Sequence, residues 1–208
     1  IVDEVAYSGL IVGQEYTLKG VLMRKNTGEP LEVDGEQVTA EKTFTPEKPE
    51  GSVELEFTFD SSALQGSAVV VFEHLYVQET EVAAHAEIED EGQTVTFPEH
   101  EIGTTATDKD TGTHEAVSKD KTIIVDEVTY SGLIVGQEYT LKGILMRKDT
   151  GEPLEVDGKQ VTAEKTFTPE EAEGIVELEF TFNSSALQGS AVVVFEHLYV
   201  QETEVAAH

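Results

Sequence analysis

The sequence predicts an all-β protein made of tandem Ig-like antiparallel β-sandwiches. In the segment VELEFTF, apolar Val53, Leu55 and Phe57 alternate with polar residues, so one face of the strand is apolar. The segment SAVVVFEHLYV is a nearly continuous apolar run, which is typical of a central strand. No segment keeps a helical apolar period over four turns, and only a short helical turn near residues 61–65 is expected.

The tandem organisation follows from a long internal repeat. Residues 1–85 return at 124–208 with a constant offset of 123 and no gap. This period exceeds the roughly 20–50 residues of solenoid repeats and suits an array of whole domains. We therefore predict two domains, 1–98 and 99–208. The copies differ at eight positions: Ala6/Thr129, Val21/Ile144, Asn26/Asp149, Glu36/Lys159, Lys48/Glu171, Pro49/Ala172, Ser52/Ile175 and Asp60/Asn183.

Composition excludes several classes of function. With 13 Lys+Arg against 42 Asp+Glu, the formal net charge is −29, which disfavours nucleic acid and anionic membrane surfaces as partners. No apolar run approaches the roughly 20 residues that span a bilayer. The absence of cysteine excludes disulfides, thiolate metal sites and cysteine nucleophiles. We expect no cofactor and no bound metal.

Two titratable residues stand out in each copy. Glu73, with Glu196 in the second copy, ends the apolar run Val-Val-Val-Phe. A carboxyl buried there has a raised pKa unless it is paired, whereas an edge residue would face solvent. His85, with His208 in the second copy, follows small apolar residues and is either a base or a structural histidine.

The segment between the copies contains two further candidates. Gln93 lies in the strand-like QTVTF, and Thr104 lies in the strand-like IGTTAT. Taken alone, both are ordinary β-strand residues. The nearby DKDTGTHE has alternating aspartates, but its spacing does not fit a calcium loop, so we interpret it as a turn. No phosphate-binding loop and no hydrolase or metalloprotease motif is present.

Four strings together resemble a known family. They are VDEVTYSGLIVGQEYTLKGILM, VTAEKTFTPE, VVVFEHLYV and VAAHAEIEDEGQTV. The chain resembles the VaFE repeat of Gram-positive surface proteins, which is similar to the Thr–Gln ester-bond domain of bacterial adhesin stalks. The most specific part is His85, placed eight residues before Gln93, with acidic residues between them and Thr94 following.

The resemblance implies a self-cross-linking reaction. A threonine on the first strand attacks the side-chain amide of a glutamine on the last strand, releases ammonia and leaves an internal ester. Histidine would act as the base, and the acids would polarise the amide carbonyl or orient the imidazole. Each domain reacts once, so no enzyme acting on an external substrate is expected. The residues implied are Thr104 (with Thr105 as the alternative), Gln93, His85, His208, Asp3, Asp126, Glu73 and Glu196.

A related Lys–Asn isopeptide cross-link does not fit this composition. The only asparagines are Asn26 and Asn183. Asn26 lies in a turn signal and is Asp149 in the other copy, whereas Asn183 replaces Asp60. Neither lies on a predicted last strand.

The repeat is out of phase with the domain that the resemblance implies. Domain 1–98 is expected to lack its first strand, which carries threonine, and domain 99–208 to lack its last strand, which carries glutamine. We therefore expect neighbouring repeats or other copies of the chain to complete the two domains. Two hypotheses follow. Either strands from a neighbouring molecule complete the domains and link the chains, or the molecule has been split deliberately.

These features predict a structural stalk of an extracellular adhesin anchored to a Gram-positive cell wall. With an ester between the first and last strands, a covalent bond would bear the tension when the two termini are pulled. The alternative is a host-ligand-binding adhesin module without a cross-link, although no aromatic-rich loop marks a binding patch. An acidic hydrolase is a third hypothesis, and it lacks any specific motif. Other parts of the parent protein could contact a host surface ligand.

Overall fold

A computed structural model describes all 208 residues, which form two compact units, Ile1–Pro98 and Glu99–His208. The division falls at the boundary that the repeat indicates. All paired strands are antiparallel, which confirms the all-β prediction. The two helices are single 3-10 turns, and neither is long or apolar enough to cross a lipid bilayer.

Unit 1 has nine strands and both 3-10 helices. The helices, η1 and η2, span Ser62–Leu64 and Glu91–Gln93, so the helical turn expected near residues 61–65 is present. The strands are β1 (Val2–Tyr7), β2 (Tyr16–Arg24), β3 (Glu32–Val33), β4 (Glu36–Gln37), β5 (Thr39–Phe44), β6 (Gly51–Glu56), β7 (Ser67–Val77), β8 (Thr80–His85) and β9 (Thr94–Phe97).

The sheets of unit 1 place β7 at the centre. One sheet has the order β5-β2-β7-β8. β9 lies on the same side of β7 as β8 and pairs with the first half of β7, whereas β8 pairs with the second half. The second sheet is the pair β1-β6, and β3-β4 is a small separate hairpin. The apolar run therefore forms the central strand that its composition predicts.

Unit 2 repeats this plan with one different strand. Its strands are β10 (Glu101–Asp108), β11 (Thr122–Ser131), β12 (Tyr139–Arg147), β13 (Glu155–Val156), β14 (Lys159–Gln160), β15 (Thr162–Phe167), β16 (Gly174–Phe182), β17 (Val192–Val200) and β18 (Thr203–Ala207). The sheets are β10-β11-β16 and β15-β12-β17-β18, with the hairpin β13-β14. Unit 2 thus begins with β10, which pairs with β11, and it has no counterpart of β9.

A glycine in each unit lets the two sheets approach closely. A Cβ built at Gly143 on β12 would lie 2.6 Å from Cζ of Phe180 and 2.9 Å from Cδ1 of Leu178, both on β16. Those two side chains are buried on the inward face that the alternation predicts. The sandwich core is therefore packed so closely here that any side chain larger than hydrogen would displace the ends of Phe180 and Leu178.

The two copies differ at two sheet edges, although their sequences there are nearly identical. In unit 2, β11 lies between β10 and β16, whereas in unit 1 the matching β1 pairs only with β6 and its Val2 is 64% exposed. In unit 1, β9 covers the start of β7 and Val70 is buried. In unit 2 the matching Val193 is 40% exposed and the nearby Phe195 is 45% exposed. Each unit thus leaves open the edge that a strand covers in the other.

Candidate functional site

Strand pairing brings a buried acid and a histidine together in unit 1. Glu73 on β7 lies directly opposite His85, the last residue of β8. Because side chains alternate along a strand, Glu73 points to the same inward face as Val71 and Leu75 and is buried. The predicted burial of Glu73 is therefore what the structure shows. Asp3 on β1 is also buried and joins Glu73 from the other sheet.

Gln93 completes this cluster. The side-chain amide can be oriented so that both its nitrogen and its oxygen have hydrogen-bond partners. In that orientation the nitrogen donates to Oε1 of Glu73 and to Oδ1 of Asp3, at 3.2 Å each. In this orientation the amide nitrogen, and not the carbonyl oxygen, faces the two acids. Gln93 was also predicted on a strand, but it ends η2, and β9 begins one residue later.

Asp90 contributes to the site and was not among the predicted site residues. Its Oδ2 lies 3.0 Å from Nε2 of His85, whose Nδ1 lies 3.5 Å from Oε2 of Glu73. Asp90 also caps η2, since its Oδ1 accepts a 2.7 Å hydrogen bond from the backbone N–H of Gly92. The Asp-x-Gly pattern is a turn and capping signal that could have indicated this role.

η2 is held against the sheet by a lysine. Nζ of Lys25, on the loop after β2, donates 3.0 Å and 3.1 Å hydrogen bonds to Glu91 and Thr94. Thr94 in turn donates from its hydroxyl to the backbone oxygen of Asp90 at 2.7 Å. These bonds fix the residues on either side of Gln93, so its amide is positioned by the local chain as well as by the acids.

The electrostatics of unit 1 keep a proton between the two acids. Burial, followed by the adjacent carboxyl of Asp3, raises the pKa of Glu73 to about 8. Two carboxyl groups in contact cannot both ionise cheaply in a buried site. At neutral pH the pair therefore holds one proton, next to the amide nitrogen of Gln93. Oδ2 of Asp3 and Oε2 of Glu73 have no hydrogen-bond partner.

Unit 2 has the same acids without an amide. Asp126 and Glu196 are fully buried, and none of their four carboxyl oxygens has a hydrogen-bond partner. Burial and the neighbouring Asp126 raise the pKa of Glu196 to about 9. Nδ1 of His208 lies 3.8 Å from Glu196, and the backbones of the two residues exchange hydrogen bonds of 2.9 Å and 3.2 Å.

Thr104 faces this second acid pair. It lies on β10 opposite Val128, and its hydroxyl interacts with Glu196 enough to oppose the rise in the pKa of that residue. No hydrogen bond of ordinary geometry is closed, since both Glu196 oxygens stay unpartnered. Thr105 is exposed on the opposite face of the strand. The structure thus places Thr104, and not Thr105, at the site.

The eight predicted site residues therefore fall into two half-sites. Unit 1 brings together Gln93, His85, Asp3 and Glu73, and unit 2 brings together Thr104, His208, Asp126 and Glu196. The predicted nucleophile, Thr104, and the predicted amide donor, Gln93, are therefore in different units. Each half-site holds its own histidine and acid pair. Unit 1 has an open sheet edge where β10 lies in unit 2, and unit 2 has an open edge where β9 lies in unit 1.

A groove in unit 1 lies where β10 lies in unit 2. It has a volume of about 280 Å³ and is bordered by β1 on one side and by the end of β8 on the other. Glu73 and His85 line the groove, together with Val5, the counterpart of the residue opposite Thr104. A strand docked in this groove in the register of β10 would bring its threonine to Glu73.

This arrangement is suited to acyl transfer from an amide. An imidazole fixed by a carboxylate can remove a proton from a hydroxyl, following the logic of a catalytic triad. A protonated acid next to the amide nitrogen can supply the proton with which ammonia leaves. The folded units hold these groups in place before any reaction, so proximity replaces a second-order encounter.

One family of known domains matches both units. The family of T-Q ester bond containing domains matches residues 1–97 and 100–208. Two crystal forms of a Mobiluncus mulieris adhesin, described as containing intramolecular disulfide, isopeptide and ester bond cross-links, share 17% and 15% identity with the chain, at TM-scores of 0.39 and 0.36. The alignments cover 53% and 96% of this chain, and 52% and 72% of the adhesin chains.

A putative β-galactosidase from Bacteroides fragilis also resembles the chain, at 11% identity and a TM-score of 0.40, over 100% of this chain and 31% of the galactosidase. No curated protein matches the sequence. The chain spans about half the length of the first adhesin structure.

The match to the family covers nearly all of both units, which confirms the resemblance drawn from the sequence. The chain belongs to the family of T-Q ester bond containing domains.

Proposed function

We propose that both units are stalk domains of an extracellular bacterial adhesin, each locked by one Thr–Gln ester when its missing strand is supplied. The observation that carries this is the matched pair of half-sites. The acid pair of unit 1 binds the amide of Gln93, whereas the same pair in unit 2 faces Thr104 with all its oxygens unpartnered. Buried polar groups without partners are costly, so a glutamine amide would stabilise unit 2.

The reaction at unit 2 follows from the positions of these groups. Oγ1 of Thr104 bonds to the side-chain carbonyl carbon of an incoming glutamine, and His208 accepts the hydroxyl proton. The carbon–nitrogen bond then breaks, and ammonia leaves with a proton from the pair formed by Asp126 and Glu196. An ester remains and no oxidant or cofactor is consumed. The cross-link forms once per domain, so the protein is not a turnover enzyme.

We propose that the missing strands come from further copies of the repeat. β9 and β10 already have places in their own units, so exchange between chains must first remove a resident strand. A neighbouring repeat that supplies a strand equivalent to β9 after His208 requires no such removal. Covalent linking of separate chains is the alternative source, and it would appear as dimers and higher oligomers under denaturing conditions.

The stalk role rests on where the ester lies. It would join the first strand of a domain to its last, so tension on the termini would load a covalent bond and not a hydrogen-bond ladder. This fits a wall-anchored surface protein of a Gram-positive bacterium without cysteine. A host-ligand-binding module without a cross-link is the alternative, and titration of the chain with matrix proteins would support it if binding occurs while no ester forms.

The test supplies the missing strand as a peptide. The full chain is mixed with a synthetic copy of residues 86–97, which carries Gln93, and the products are separated on a denaturing gel. We expect a covalent adduct of the chain with one peptide. Two controls, the same peptide with Gln93→Ala and a Thr104→Val chain, should give none. Absence of an adduct when the peptide protects the edge of unit 2 from hydrogen exchange would contradict the proposed function.

A further inference from the structure

We propose that unit 1, while its groove holds no strand, hydrolyses the side-chain amide of its own Gln93, with water taking the place of threonine. This inference rests on the proposed function of the site but concerns a different reaction. The half-site would then act as a single-turnover glutamine deamidase. Its co-substrate is a small nucleophile.

The geometry provides for the leaving group. The amide nitrogen of Gln93 donates to Glu73 and Asp3 at 3.2 Å each, so the proton that these acids share is adjacent to the atom that must leave. General acid catalysis requires a proton within hydrogen-bond distance of the leaving atom. The same contact holds the amide in one orientation, which removes the rotational freedom that an exposed glutamine has.

The geometry also provides for the nucleophile. The groove has a volume of about 280 Å³ and is bordered by Glu73 and His85. That volume exceeds the roughly 30 Å³ of a water molecule several-fold. His85 is half exposed and lines the groove, and Asp90 lies 3.0 Å from its Nε2, so the imidazole is held beside the groove. A water molecule bound there can lose a proton to the base that would otherwise serve threonine.

The proposed step balances without any other reactant. The oxygen of water bonds to Cδ of Gln93 as a proton passes to His85. The carbon–nitrogen bond breaks, and ammonia leaves with a proton from the acid pair, which the imidazole proton then replenishes. The products are a carboxyl group at position 93 and ammonia. Position 93 can no longer form an ester by displacement of ammonia, so prolonged exposure of the half-site would inactivate it.

The experiment follows two glutamines in one sample. The full chain is incubated near neutral pH, and the peptides containing Gln93 and Gln78 are analysed by mass spectrometry for replacement of the NH₂ group by OH. Gln78 lies exposed in the turn between β7 and β8 and serves as the internal reference. We expect Gln93 to react about 100-fold faster or more, the size of a general acid–base effect.

Variants and a blocking peptide decide the outcome. Glu73→Gln should reduce the rate at Gln93 to that at Gln78, whereas Glu79→Gln, at an exposed position, should leave it unchanged. A synthetic copy of residues 101–108 carrying Thr104→Val fills the groove in the unmodified chain and should also suppress the reaction. Equal rates at Gln93 and Gln78 in the folded chain, or a rate at Gln93 that neither the variant nor the peptide lowers, would overturn the inference.

The result is separable from that of the proposed function. Deamidation at Gln93 without any ester on peptide addition would support this inference and contradict the cross-linking reaction. An ester without deamidation would do the reverse. In a denaturant both glutamines should react at the same slow rate, because the acid pair and the groove no longer exist.

Discussion

The side-chain nitrogen of Gln93 lies 3.2 Å from the carboxyl of Glu73, whereas Glu196, the equivalent of Glu73 in the second copy, has no hydrogen-bond partner on either oxygen. The two acids have the same strand position and the same sequence around them. What differs is the strand that each unit adds, the segment with Gln93 in unit 1 and β10 with Thr104 in unit 2. The half-sites are therefore two complementary versions of one site.

The buried acids predict a stability that falls as pH rises. The pKa of Glu196 is raised to about 9 in the folded chain, and an unfolded glutamate has its ordinary lower value. The folded state therefore binds more protons between these values, and stability present at about pH 5 is lost towards about pH 9. Thermal unfolding across this window should show the decline, with a slope of at most ~1.4 kcal/mol per pH unit for this group.

A neutral variant tests whether Glu196 is the cause. Glu196→Gln should make the decline shallower, leaving the part that Glu73 contributes, and should raise the unfolding temperature of unit 2 at about pH 8, because an amide does not ionise. Glu202→Gln removes the same charge at an exposed position and should leave the slope unchanged. A slope that is the same in both variants would show that Glu196 does not cause the decline.

The two adjacent threonines on β10 should differ sharply in reactivity. Thr104→Val keeps the shape of the side chain and its β-propensity but removes the hydroxyl that faces Glu196, so ester formation with the glutamine peptide should cease. Thr105→Val changes an exposed residue and should leave the yield within about two-fold. Quantified adducts on denaturing gels measure both. Full yield from Thr104→Val would exclude Thr104 as the nucleophile.

The open edge of unit 2 should close when the glutamine strand binds. Hydrogen exchange at residues 192–195 should slow at least about ten-fold on addition of the peptide that copies residues 86–97, since new backbone hydrogen bonds form there. The matching residues 69–72 already face β9 over part of their length and should change little. Equal protection at both edges would indicate that the peptide binds nonspecifically.

The close approach of the sheets predicts a sensitive glycine. Gly143→Ala would place Cβ at 2.6 Å from the ring of Phe180, so the ends of the Phe180 and Leu178 side chains would have to move within a packed core. Overpacking of this kind costs typically about 1–3 kcal/mol of unfolding free energy. Lys142→Ala, at the neighbouring exposed position, should cost about 0.5 kcal/mol or less. Denaturant unfolding of the two variants checks the difference.

The sequence was informative where periodicity and repetition determine structure. Alternation at Val53, Leu55 and Phe57 predicted the inward face, and the buried run around Glu73 predicted both the central strand and the buried acid. Tandem copies with a constant offset indicated the two units. These properties depend on side-chain burial, which leaves a clear pattern in the order of residues.

The local geometry around Gln93 could not be derived in the same way. Alternation in the following residues suggested a strand, but the cap formed by Asp90 turns the chain into a 3-10 helix one residue earlier. The contact between Asp90 and His85 depends on that turn, and the orientation of the Gln93 amide depends on its contacts with Asp3 and Glu73. Such details follow from tertiary contacts that residue spacing does not specify.

The most direct test of the account is the intact mass of the full chain after reaction with the glutamine peptide, measured under denaturing conditions before and after mild alkali. We predict a species equal to chain plus peptide minus one ammonia, which alkali cleaves because an ester is labile to base. The same cleavage should return the unmodified chain and a peptide with a carboxyl in place of its amide. A peptide-bound chain that resists alkali, or a chain that stays at its own mass, would contradict the account.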